Sequence, residues 1–145
     1  ANDIALQVAE HLAGSVEGFV QMMNQRAAEL GCTNTVFTNP TGLSDENQHT
    51  TAHDMALIMQ AAMENETFRT IAGALSYTIS PTNISGGERV LTNNFSMMSA
   101  ANAAYYQNCL GGREGYTDAS GSVRSSSLTR LGKIILWADL MKRIS

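Results

Sequence analysis

The residues whose types and spacing could do chemistry gather in one stretch, Gly111-Gly112-Arg113-Glu114-Gly115-Tyr116-Thr117-Asp118-Ala119-Ser120-Gly121. It sets a cation, a carboxylate and hydroxyls among glycines. Arg113 to Thr117 read as a strand, along which neighbouring side chains alternate in direction. Gly112-x-x-Gly115 is too short for a phosphate loop or a dinucleotide fingerprint. Metal chemistry finds no support elsewhere, because His11, His49 and His53 have no H-E-x-x-H or Cys/His spacing. Nucleophilic chemistry of the Ser-x-x-Lys type finds none either. The chain has two lysines, Lys133 and Lys142, preceded three residues earlier by Arg130 and Asp139. The nearest imitation, Ser127-Leu128-Thr129-Arg130, ends in an arginine, which does not deprotonate in a protein and cannot act as a base.

The elements that must carry this stretch belong to a chain of 145 residues, the size of one domain. Its net charge of −4, from nine basic and thirteen acidic side chains, disfavours a nucleic-acid partner, which wants a basic stripe. No apolar run reaches the roughly 18 residues of a membrane span. Cys32 and Cys109 form no CxxC, and the sequence leaves open whether they pair or stay as two buried thiols. The chain opens abruptly on Ala1-Asn2-Asp3 and reads as a cut end.

Residues 1–76 read as mainly helical and 77–145 as a hairpin followed by C-terminal strands, which makes the class α+β. Ile4, Val8 and Leu12 mark one face of a first helix that Gly14 ends, and this face is expected in the core. Ser15 is a candidate N-cap for a second helix with Glu17 in its first turn, an inward stripe of Phe19, Met23, Ala27 and Leu30, and Gly31 just past its end. Thr35-Val36-Phe37 could form a short strand, and Asn39-Pro40-Thr41-Gly42 is a turn. Thr51-Ala52-His53-Asp54 has the form of a capping box for a helix with Met55, Ile58, Met59 and Ala62 inward. A shorter helix is expected around Phe68 to Leu75, then a hairpin of Tyr77-Thr78-Ile79 with Arg89-Val90-Leu91. The run Ile134 to Trp137 is favoured as a strand.

The stretch at 111–121 resembles the third motif of the penicillin-binding serine D-alanyl-D-alanine carboxypeptidases, commonly G-G-K-T-G-Y-T followed by a D-A-A-G-like turn. The resemblance extends over nearly the whole chain, through Ala1-Asn2-Asp3, Gly14 to Asn24, Leu30 to Phe37, Asn39 to Leu43, Thr51 to Leu57 and Tyr105-Tyr106. It implies a partial penicillin-binding or serine β-lactamase-like fold, with a helical subdomain packed on antiparallel strands, and one partial catalytic domain over residues 1–145. It implies cleavage of the terminal D-Ala from a peptidoglycan pentapeptide through an acyl-serine, outside the cytoplasmic membrane of a bacterium, with no metal or other cofactor. In such a motif the cation lies near the substrate carboxylate, a hydroxyl bonds it, and the glycine lets the substrate backbone approach. By this resemblance Asn2 is the last residue of an S-x-N motif and the catalytic candidate. Arg113, Glu114, Gly115, Tyr116 and Thr117 are the candidates for substrate binding.

The departures are as specific. S-x-x-K is absent, and Arg113 and Glu114 stand where the family has Lys and Thr. A carboxylate at that place repels a substrate carboxylate unless it pairs with Arg113, is protonated or turns away. Tyr106-Gln107-Asn108 imitates a Y-x-N motif at the wrong place along the chain. Arg124-Ser125-Ser126-Ser127 stand where an apolar strand is expected, so the piece reads either as an edge or as a place where the sequence is altered. The expectation is a chain inactive alone, with a non-catalytic binder of cell-wall peptide or of a partner chain as the alternative. Exposed strand edges would favour self-association or a complementing chain.

Overall fold

The computed structural model describes the backbone of residues 2–117, 121–130 and 133–141, and the side chains of residues 2–116. Helices α1 (Asn2–Ala13) and α2 (Val16–Glu29) pack against each other, and α3 (Ala52–Met63) and α4 (Glu66–Gly73) follow a long connection. A hairpin of β1 (Ser76–Ile79) and β2 (Arg89–Thr92) comes next, then a single 3-10 turn, η1 (Ser96–Met98). The chain continues as β3 (Cys109–Thr117), β4 (Gly121–Arg130) and β5 (Lys133–Met141). These pair antiparallel in the order β3-β4-β5. The class is α+β, with every expected helix and strand pairing present except the short strand at Thr35 to Phe37. That segment contributes one bridge, Val36 with His49.

Local chemistry sets the boundaries. Ser15 caps α2 by accepting from the Gly18 N–H at 3.0 Å. Gly31, at φ 82°, ends it. The bonds Cys32 N–H to Ala27 C=O and Gly31 N–H to Ala28 C=O, both 3.0 Å, close a Schellman motif. Thr51 caps α3 through the Asp54 N–H at 3.1 Å. The capping box is only half made, because the Asp54 carboxylate turns inward to the 34–35 segment.

Two expectations are corrected. Ile4, Val8 and Leu12 are exposed by 64%, 47% and 62%, and the buried residue of α1 is Ala9. α1 packs against α2, and the larger aliphatic residues of α1 are left exposed. The Arg-Ser strand, β4, is also not an edge: it pairs with β3 on one side and β5 on the other. The backbone register sets Arg124 opposite Glu114 of β3 on one side and opposite Asp139 of β5 on the other.

Among the described residues the core is small-residue and methionine-rich. Ala9, Ala27, Cys32, Met59, Met63, Phe95 and Met97 are buried. The inward stripes of α2 and α3 are as the periodicity expects, with Ala27 buried in α2 and Met59 in α3, where Asp54 and Met63, outside the expected stripe, are deeper still. α3 packs on β4 and β5, and α4 packs on β3.

Candidate functional site

The candidate site is built on β3, whose start is fixed by a close approach. Gly111 is buried, at φ 151°, and a Cβ there would lie 2.9 Å from the carbonyl carbon and oxygen of Ala72. Gly73 meets β3 in the same way, its added Cβ falling 2.8 Å from the Leu110 oxygen. The end of α4 therefore lies directly on β3. The pairing with β4 shifts register between Cys109 and Gly111, and runs regularly from Gly111 opposite Ser127 to Thr117 opposite Gly121.

Beyond this contact the motif residues take up different positions. Arg113 is exposed and stands opposite Ser125. Glu114 is half-buried and does not turn to Arg113. Its Oε2 accepts from the Ser96 hydroxyl at 2.9 Å and its Oε1 from the Ser96 N–H at 3.3 Å. Gly115 is exposed, and a Cβ there would meet no atom of the described residues within 4 Å. Its lack of a side chain thus answers to no packing demand seen within the described residues, unlike that of Gly111. Tyr116 is exposed by 62%. Thr117 closes β3 at the backbone level, and its side chain lies outside the described residues. Asn2 is the exposed first residue of α1. The structure thus brings the five β3 residues together, and among the described residues no hydrogen bond joins Asn2 to them.

Two contributors escape a reading along the sequence. Ser96 is buried, at 8% exposure, and reaches Glu114 across 18 residues of chain. Asn93 ties the segment before it to α4: its side-chain amide donates to Ala74 C=O at 3.0 Å, and its oxygen accepts from the Phe95 N–H at 3.0 Å. No motif spacing signals either one. The polar pair Asn93-Asn94 before Phe95 is the only local sign of a tight turn.

Asp54 organises the opposite region. Its Oδ2 accepts from Thr35 Oγ1 at 2.7 Å and Asn34 N–H at 2.9 Å, and its Oδ1 lies 3.3 Å from His53 Nδ1. The Thr35 hydroxyl above all, then the Asn34 amide, hold its carboxyl down to about 2, against the opposing effect of burial. Cys32 and Cys109 are free thiols, both pushed up by burial. Among the described residues no three His, Cys, Asp or Glu side chains gather as a metal site, and no helix is long and apolar enough to cross a membrane.

The profile of the D-alanyl-D-alanine carboxypeptidase family matches residues 1–134. The chain belongs to that family. As a D-alanyl-D-alanine carboxypeptidase family member it is 32% identical to D-alanyl-D-alanine carboxypeptidase DacB2 of Mycobacterium tuberculosis, over 94% of this chain and 45% of that protein. It is 42% identical over 72 residues to DacF of Bacillus subtilis, covering 50% of this chain and 18% of the relative. The crystal structure of a D-alanyl-D-alanine carboxypeptidase from Mycobacterium tuberculosis superposes with a TM-score of 0.84 at 30% identity, over 100% of this chain and 52% of the other. The Streptomyces K15 DD-transpeptidase gives 0.74 at 28% identity, over 86% of this chain and 47% of the other. The family member described here spans about half the length of these solved structures, or less of its other relatives. Its fold is the corresponding part of the penicillin-binding α+β architecture.

Proposed function

We propose that this chain is the substrate-holding part of a serine-type D-Ala-D-Ala carboxypeptidase domain, whose nucleophile lies outside these 145 residues. The reaction is hydrolysis of the terminal D-Ala of a peptidoglycan pentapeptide. A serine outside these residues attacks the peptide carbonyl, D-Ala leaves, and water releases the acyl group. The residues of this chain bind and orient. Arg113 faces the terminal carboxylate as a cation, and Gly115 lets the peptide backbone lie along β3. Tyr116 and Thr117 extend that edge, and Asn2 contributes from the start of α1. The setting is the cell envelope or exterior of a bacterium.

The observation that carries this reading is Gly115, exposed on β3 beside the Arg113 cation, with space open among the described residues where a side chain would stand. The absence of S-x-x-K carries the second half: by itself the chain is inactive. Incubation with a fluorescent penicillin followed by intact-mass spectrometry tests it. No adduct is expected, and stoichiometric labelling at any serine refutes the assignment of the nucleophile to another segment.

A non-catalytic binder of cell-wall peptide is the second reading. It is favoured by Glu114, whose carboxylate is engaged by Ser96 where the family motif has a threonine hydroxyl for the substrate. A reading frame carrying S-x-x-K ahead of Ala1 decides between the two.

A further inference from the structure

Glu114 occupies the motif position that resemblance gives to substrate, yet its recorded hydrogen bonds run into the fold. We infer that Glu114 is a positioning residue, which with Ser96 clasps β3 to η1 and so fixes how Arg113 is presented. The inference rests on the proposed peptide-holding role of β3 and adds a specific division of labour to it: recognition of the terminal carboxylate falls to Arg113, not to residue 114.

The physical need for the clasp is visible at η1. Its N-cap residue, Phe95, makes no side-chain cap bond, so the Ser96 N–H at the start of the turn has no local partner. Glu114 supplies one from 18 residues away, and takes the Ser96 hydroxyl on its other oxygen. Bonds to an ionised acceptor are stronger than neutral ones. The site is partly shielded from water, with Phe95 and Met97 on either side of Ser96 buried to 3% and 8% exposure. The same segment is tied to the end of α4 through Asn93, and the end of α4 presses on Gly111. β4 pairs along one edge of β3, and apart from that pairing β3 is tied at two further points, Gly111 against Ala72 and Glu114 against Ser96. Arg113 lies between them, and strand alternation sends its side chain to the other face. Losing the second point leaves the strand that aims Arg113 held by β4 and the Gly111 contact, and so looser at residues 113–115.

The test uses the full chain, with amide exchange followed by NMR and binding of N-acetyl-D-alanyl-D-alanine. Glu114→Ala is expected to speed exchange at Ser96 and at residues 113–115. It should weaken the dipeptide about tenfold, the scale of one lost bond to a charged group. In an Arg113→Ala background the same change should cost nothing further, because it acts through Arg113. Ser96→Ala should show a smaller loss of the same kind, and Ser96→Thr, which keeps the hydroxyl, should behave as wild type. Should Glu114→Ala not fold, the Ser96 pair carries the test. Unchanged exchange at 113–115, or losses that add to that of Arg113→Ala, overturns the clasp. A wild-type chain that binds no dipeptide overturns the peptide-holding reading instead, and exchange at Ser96 and 113–115 alone then decides whether the clasp holds β3.

Discussion

Gly111 lies hard against Ala72: a Cβ on Gly111 would stand 2.9 Å from both the carbonyl carbon and oxygen of Ala72 and 3.1 Å from its Cβ. Gly115, four residues on in the same strand, has open space at the same place among the described residues. The two glycines therefore predict opposite behaviour. Gly111→Ala should destabilise the chain by about 1–3 kcal/mol, since overpacking against backbone cannot relax by a rotamer change. Gly115→Ala should stay within about 0.5 kcal/mol of wild type, as for an ordinary surface substitution, while weakening binding of a D-alanyl-D-alanine peptide. Urea unfolding of both variants measures the first claim. Equal destabilisation of the two would show that Gly115 is a packing glycine.

Asp54 predicts an acid limit to stability. Its carboxyl is held at about 2 in the fold against an ordinary value of 3.8. The folded value is the lower one, so the unfolded chain takes up the proton first as pH falls. The contribution is complete above about pH 4 and fades as pH drops toward 2. Asp54→Asn should flatten the fall in thermal midpoint across that window. A variant curve parallel to wild type would assign the acid sensitivity to other carboxylates.

Asn24 closes the connection between α2 and α3 to the helix pair. Its side chain both donates to Phe37 C=O and accepts from Phe37 N–H, each at 2.8 Å. Asn24→Ala removes both partners at once, and should cost about 1–3 kcal/mol by leaving backbone groups unsatisfied. Asn24→Asp should cost more, because a carboxylate then faces the Phe37 carbonyl in place of a donor. Denaturant midpoints of the two variants give the order, and a neutral Asn24→Ala would mean that water replaces the amide without loss.

The outer edge of β3 has no strand partner among the described strands. Such edges recruit other chains. The chain is therefore expected to self-associate along Arg113 to Tyr116, or to bind a second polypeptide there. Sedimentation over a range of concentrations reads this directly. A monodisperse folded monomer that binds no apolar dye is the result that rules it out.

By itself, the sequence determined the helix ends, the hairpin and the strand run, because these rest on chemistry within a few residues: Ser15, Thr51, Gly31 and the alternation after Gly111. It also determined the family, through motif spacing spread along the chain, and the absence of a Ser-x-x-Lys pair. What only tertiary structure decided is which side of an amphipathic element meets a partner. Ile4, Val8 and Leu12 carry helical periodicity, yet Ala9 is the buried residue of α1, because periodicity identifies a face and not its neighbour. The place of β4 between two strands was hidden for the same reason, since the acids opposite Arg124 lie in other strands. The direction of Glu114 was hidden most completely. Its partner, Ser96, is 18 residues away in a turn with no spacing rule, and only the folding of β3 beside η1 brings the two within hydrogen-bond reach.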